Sequence, residues 1–289
     1  MRPLLSLLVL LAAAASASAQ PMWRPLPGGA SVSVDVFRPV LVQRQIATDD
    51  QGNIIGDGGP GPLHSAQILS ARVPVGGAFS IIADLPTAYF SYTFTGVPGV
   101  DGLTEFGIGN PYLGVEARGA ADVTVEAGVR LPLSAREDGY SRAEFTGIQS
   151  LFETVEAYQA KTFSAALGAR FEPALSPAVR LRLRALPTVR TFPSFEQVGE
   201  RVEEVRARVF DLQYGAQVVG LVGPVELAGG VTGRVDGPGG GDYNPTLLTF
   251  GVSAAGLPVR PGVLVRIPVR DYVFDTGAIV GFSLDVPIR

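Results

Sequence analysis

Cysteine is absent from the 289-residue chain, which excludes disulfides, thiolate metal sites and cysteine nucleophiles together. A single histidine, His64, excludes a multi-histidine metal centre within one chain. Lysine is almost missing too, Lys161 being the only one. Charge as a whole is scarce: 23 Lys plus Arg and 27 Asp plus Glu make 17% of the residues, against roughly 25% in an ordinary soluble domain. The net charge of −4 lacks the basic surplus of a general nucleic-acid binder, so no nucleic-acid partner is expected. What is present in quantity is apolar residues, 46% of the chain, together with 36 Gly and 23 Pro. A mean hydropathy of +0.27 separates this composition from disordered Gly/Pro-rich polymers.

Long apolar runs are the other absence. Residues 1–19 have the form of a secretory signal: Arg2, an apolar core from Leu4 to Ala15, and Ala17-Ser18-Ala19 before a cleavage point at Gln20. Past Gln20 no apolar stretch approaches the ~18 residues of a spanning helix. The expected division is therefore a signal peptide at 1–19, a periplasmic segment at 20–30 and one domain at 31–289.

That domain reads in period two. Val123, Val125, Ala127, Val129 and Leu131 share one face, with Thr124, Glu126, Gly128 and Arg130 on the other. Val263, Val265, Ile267 and Val269 alternate in the same way with Arg266 and Arg270, and Val280, Phe282, Leu284, Val286 and Ile288 with Gly281, Ser283 and Asp285. About twelve such segments are predicted, near 31–42, 65–75, 78–92, 109–118, 122–134, 158–172, 178–191, 203–219, 224–236, 245–256, 262–270 and 276–288. In the 203–219 segment the alternation changes phase, and a β-bulge near Val209-Phe210 is expected to restore it. Long connections (43–64, 93–108, 135–157, 192–202, 237–244) alternate with short ones, as in an up-and-down barrel with trimmed periplasmic turns and long extracellular loops. Tyr89, Tyr92, Tyr112, Tyr158, Tyr243 and Tyr272 lie near the long-loop ends and are expected to form an interfacial girdle. The fold expected is all-β: a transmembrane antiparallel up-and-down β-barrel. A secreted β-sandwich with its greasy face turned inward is the alternative.

The stretch Phe106-Gly107-Ile108-Gly109-Asn110-Pro111-Tyr112-Leu113-Gly114-Val115-Glu116 resembles the G-(I/L)-G-(D/N)-x-x-L-G-(L/V)-(K/E) segment of bacterial outer-membrane barrel proteins of the phenol-degradation meta-pathway type. The resemblance implies an outer-membrane barrel engaged in uptake of small, often hydrophobic solutes. It covers about a dozen residues, with length and strand count agreeing more loosely. Outer-membrane barrels of this kind usually end in an aromatic residue read by the assembly machinery; this chain ends Val286-Pro287-Ile288-Arg289.

With the greasy face toward lipid, the charges must point inward, since Arg at the bilayer midplane costs about 2–4 kcal/mol on the lipid face. The residues expected to line the lumen and solute path are Glu116, Arg118, Glu126, Arg130, Arg170, Glu172, Arg180, Arg182, Arg184, Arg206, Arg208, Arg234 and Arg266. Arg180, Arg182 and Arg184 beside Arg206 and Arg208 read as a basic stripe that selects anions. The competing reading pairs them with Glu172, Glu203 and Glu226 in a structural ladder.

Enzyme signatures are weak. His64-Ser65 lacks a nucleophile motif; Gly56–Gly61 and Gly237–Gly241 lack the Lys-Ser/Thr of a phosphate loop; Asp49–Asn53 does not fit a calcium loop. The expected function is a passive uptake porin of the bacterial outer membrane, without enzymatic activity, cofactor or metal. Its long loops at 43–64 and 135–157, or residues 20–29, would gate it. Its expected partners are outer-membrane lipid, a small-molecule solute and the barrel assembly machinery. The alternative is a barrel with a sealed lumen and a structural or surface-interaction role.

Overall fold

A computed structural model describes residues 29–41, 45–48, 54–95, 102–119, 122–134, 141–198, 201–237, 244–254, 256–270 and 276–288. The signal segment, the 20–28 segment, Asp49–Asn53 and most of the Gly237–Gly241 run lie outside them. In chain order the elements are β1 (Ala30–Leu41), β2 (Gln45–Thr48), β3 (Ile54–Pro60), β4 (Ser65–Gly76), β5 (Phe79–Thr95), β6 (Leu103–Ile108), β7 (Tyr112–Arg118), β8 (Val123–Arg130), α1 (Arg142–Ser150), a 3-10 helix (Phe152–Ala157), β9 (Phe163–Phe171), β10 (Ala174–Ser176), β11 (Val179–Val198), β12 (Arg201–Val222), β13 (Val225–Asp236), β14 (Thr246–Ala254), β15 (Arg260–Arg270) and β16 (Thr276–Ile288).

Twelve of the strands close a ring by antiparallel pairing in the order β1, β4, β5, β7, β8, β9, β11, β12, β13, β14, β15, β16 and back to β1. They correspond to the twelve segments read from alternation. The alternation itself sets the two faces. Outward residues such as Leu113, Val115, Leu167, Phe250, Val263 and Phe282 are 46–62% exposed, while the inward set on the same strands is largely buried. An apolar exterior around a charged interior inverts a soluble sandwich, and it is the arrangement a bilayer requires of strands.

Three features depart from the sequence reading. The connection 43–64 carries a hairpin, β2 and β3, whose second strand extends β5 beyond the ring. The connection 93–108 contains β6, which continues the β7 side of β5 after an interruption at Gly109-Asn110-Pro111. The connection 192–202 is mostly strand: β11 and β12 stay paired without a register shift from Val179 opposite Gly220 to Val198 opposite Arg201. No bulge forms at Val209-Phe210. Val205, Ala207 and Val209 simply continue the inward phase of Asp211 and Gln213, because this part of the hairpin rises past the ring, where an outward arginine meets water instead of lipid.

The connection between β8 and β9 folds inward. Ser141 caps α1 by accepting the Glu144 N–H at 2.8 Å, a Ser-x-x-Glu capping pattern. The helix and the 3-10 turn after it then lie against the inner wall. Ile148, Leu151, Val155 and Tyr158 form one buried apolar cluster with the inward residues Phe37, Ile68, Leu247, Leu264 and Ile279. A lumen of about twelve strands is too wide for wall side chains alone to fill, and this plug fills part of it.

Candidate functional site: the plugged lumen

The inward charges are arranged in two tiers. Toward the short-turn end, Arg72 Nε lies 2.7 Å from Glu116 Oε2 and Arg184 Nη2 lies 3.0 Å from Glu126 Oε2. Arg182 bridges Glu172 at 3.0 Å and Glu226 at 3.5 Å, and Arg170 lies 3.9 Å from Glu172. Tyr112 donates to Glu126 at 2.9 Å and lies flat over Gly114 and Gly128, where an added Cβ would come within 2.9 and 2.3 Å of its side chain. Only glycine leaves that floor open.

The second tier meets the plug. Arg130 faces Asp84 at 3.8 Å and Glu156 at 3.6 Å. Arg190 and Arg234 share Asp211 and Asp236, the closest contact being Arg234 to Asp236 at 2.6 Å. Arg266, fully buried, pairs with Glu153 of the 3-10 helix, and Gln213 donates to Glu156 at 2.9 Å. At the strand interruption, fully buried Asn110 donates from Nδ2 to the carbonyls of Glu156 (2.9 Å) and Gln159 (2.7 Å), while its Oδ1 accepts the Ser134 N–H at 2.9 Å. A Cβ on Gly109 would lie 2.2 Å from the Ala157 carbonyl oxygen. Gly109-Asn110-Pro111 thus serves as the seat of the plug.

Of the residues expected to line the lumen, Glu116, Glu126, Arg130, Arg170, Arg182, Arg234 and Arg266 are buried inside the ring, and Glu172 and Arg184 are partly so. Arg118 and Arg180 are exposed at the short-turn end. Arg206 and Arg208 are exposed on the outward phase of β12, and Arg206 donates to the Lys161 carbonyl at 3.3 Å. They stand opposite Pro193 and Thr191, whereas Arg180 stands opposite Val219. Roughly 23 Å of strand separates Arg184 from the nearer of them and roughly 43 Å separates Arg180 from the farther, so no common stripe exists. The Glu203 side chain lies outside the described residues.

The girdle also needs correcting. Tyr112 and Tyr158 are buried in the interior, at 4% and 2% exposure, and Tyr92 is buried beside His64. Tyr243 and Tyr272 lie outside the described residues. Position near a long loop does not fix a face, and Tyr112 falls on the inward phase of Glu116. The residues missed from sequence were Glu153, Glu156, Asn110 and Asp211. The Ser141–Glu144 pattern was the one available signal for an ordered plug.

His64 ties the plug to the wall from the connection before β4, outside the membrane-spanning strands. Its Nδ1 accepts the Ser91 N–H at 3.4 Å, which leaves Nε2–H to face Gln149 Oε1 of α1 at 3.4 Å. Ser65 donates to the Leu63 carbonyl instead of to this imidazole. Burial lowers the His64 pKa below its ordinary value; the Gln149 contact opposes the shift and nearby Arg38 adds to it. Undocking the plug relieves part of that burial, so the imidazole takes up a proton more readily when undocked, and acidification favours undocking. Hydrogen exchange of α1 amides, corrected for intrinsic rates, is expected to accelerate roughly three- to tenfold between pH 7 and 5, and His64→Gln should abolish that acceleration.

No protein-family model matches the sequence, and no curated protein matches it. Solved structures do. An outer membrane channel from Pseudomonas putida F1 is 10% identical with a TM-score of 0.52, over 91% of this chain and 97% of that one. The fold is that of the outer-membrane β-barrels. The β domain of the Bordetella autotransporter BrkA (12% identity, TM-score 0.49, 90% of this chain and 100% of that one) and the toluene transporter TodX of P. putida (10%, 0.44, 96% and 94%) are also similar. At such identities the likeness is one of fold.

Proposed function

We propose that the protein is an outer-membrane channel for small solutes, carboxylates among them, held closed at rest by its inward-folded plug. The observation that carries this reading is that α1 and the 3-10 helix stand apart from the ring's hydrogen-bonded ladder. Side-chain contacts such as Glu153–Arg266, Glu156–Arg130 and Gln149–His64 dock the plug, so it can leave without breaking the wall. A passing carboxylate can exchange onto Arg130 or Arg266 as the plug's own glutamates release them. Uptake of small solutes agrees with the resemblance of Phe106–Glu116 to the meta-pathway type. The apolar belt requires surrounding lipid, and such a barrel is inserted by the assembly machinery of the outer membrane. A sealed structural barrel is the second reading, favoured by the nearly complete pairing of the interior charges.

The two separate in planar bilayers and liposome swelling. The channel reading expects low basal permeability punctuated by discrete openings, with anion preference reduced in Arg130→Gln. Absence of any flux, in the intact chain and in a form without the plug, leaves the sealed barrel as the answer.

A further inference from the structure

Among the described residues the wall is interrupted beside β6. Among the described residues β6 pairs with β5 and with no other strand, since β8 ends its pairing where Tyr112 meets Arg130. A cavity of about 480 Å³ occupies this break, between β6, residues 133–134, the start of α1 and Tyr158. That lies within the roughly 300–1,000 Å³ usual for small-molecule sites. Its rim is apolar and open: Phe106, Ile108 and Leu133 are 60%, 55% and 63% exposed on the outer surface. Its inner side carries Glu105, Ser134, Ser141 and Glu144.

The height of the break follows from the strands. The seven residues of β7 rise from the short-turn end before the interruption, and about 9–11 tilted residues cross a bilayer. The cavity therefore opens into the outer half of the apolar belt. A strand edge left bare to hydrocarbon costs several kcal/mol for each unsatisfied backbone group. The β6 edge instead borders a space whose inner wall offers polar groups and whose mouth offers apolar ones. Both carboxylates already accept backbone N–H groups, Glu105 from Arg142 at 3.3 Å and Glu144 from Ala160 at 2.7 Å. Two carboxylates disfavour an anion, and a cation would have to shed its hydration to arrive through lipid.

We propose that this break is a binding site for a small uncharged amphiphile, an apolar ring or short chain bearing one hydroxyl or amide, taken from the outer half of the membrane. The site lies in the wall, apart from the axial route, and its test measures no flux, so the channel reading does not depend on its outcome.

The probe is a benzyl alcohol carrying a trifluoromethyl diazirine, photoactivated on the folded full chain in lipid vesicles and mapped by mass spectrometry. Adducts should concentrate on β6, residues 131–134 and the start of α1, and excess unlabelled benzyl alcohol should compete them away. Leu133→Trp narrows the exposed mouth. Gly107→Leu places a Cβ 2.8 Å from that of Ala143 and fills the cavity. Each variant should lower the yield at these positions by roughly fivefold or more. Heat-modifiable migration in SDS gels shows that each still folds, and Leu133→Trp keeps the test alive if Gly107→Leu does not. Labelling spread evenly around the apolar belt, uncompeted labelling, or yield unchanged in folded Leu133→Trp overturns the proposal.

Discussion

Replacing residues 142–157 by a short Gly-Ser linker is expected to raise single-channel conductance by roughly tenfold or more. The ring's strand ladder does not include α1 or the 3-10 helix, so the wall should still close. What it loses is the apolar contact of Ile148, Leu151 and Val155 with the inner wall and the glutamates Glu156 and Glu153 docked on Arg130 and Arg266, while Arg130 keeps Asp84. Those two arginines then face water, a far milder penalty than leaving them unpaired under a docked plug. The remaining obstruction is the lower tier, made of long flexible side chains that ions can pass more readily than packed helical backbone. Arg266→Gln combined with Glu153→Gln should give an intermediate result, with openings of ordinary size occurring more often. Bilayer recording checks both, and an unchanged conductance in the plug-free form would assign closure to the lower tier alone.

Arg182→Ala should destabilise the folded barrel by about 3 kcal/mol, because it leaves Glu226 inside the ring without the cation it shares with Glu172, which keeps only Arg170 at 3.9 Å. Arg180→Ala, two residues along the same strand but exposed at the short-turn end, should cost at most about 0.5 kcal/mol. Urea titration in lipid vesicles, read by gel mobility of folded and unfolded forms, measures the difference. Arg182→Met with Glu172→Gln and Glu226→Gln removes the charges together and should recover much of the loss. Equal costs for the two single substitutions would mean that the lower tier is solvated and contributes little.

The contrast between these neighbouring arginines shows what alternation can and cannot convey. Period two located all twelve ring strands, because a strand with lipid on one face has no freedom to place charge there. It also put Arg182, Arg234 and Arg266 inside. It misplaced Arg206 and Arg208, since the rule that sends arginine inward holds only at membrane height, and the length of the β11–β12 hairpin beyond the ring is not written in the phase of its residues. The expected bulge came from the same assumption. The plug was less legible still: 135–157 read as a long loop that could narrow the lumen, but Glu153 and Glu156 are buried because Arg266 and Arg130 wait on distant strands. The role of Asn110 likewise depends on carbonyls some fifty residues later in the chain.

Ring closure joins β1 to β16, with Ala30 opposite Ile288. These strands stand at the two ends of the described chain, so the ring cannot close until both are in place. Until then the growing sheet has two raw margins. In hydrocarbon each margin would carry a row of unsatisfied amides and carbonyls. Unaided insertion of one hairpin after another would therefore be costly, and the seam makes closure all-or-none: neither margin is paired until β1 and β16 meet.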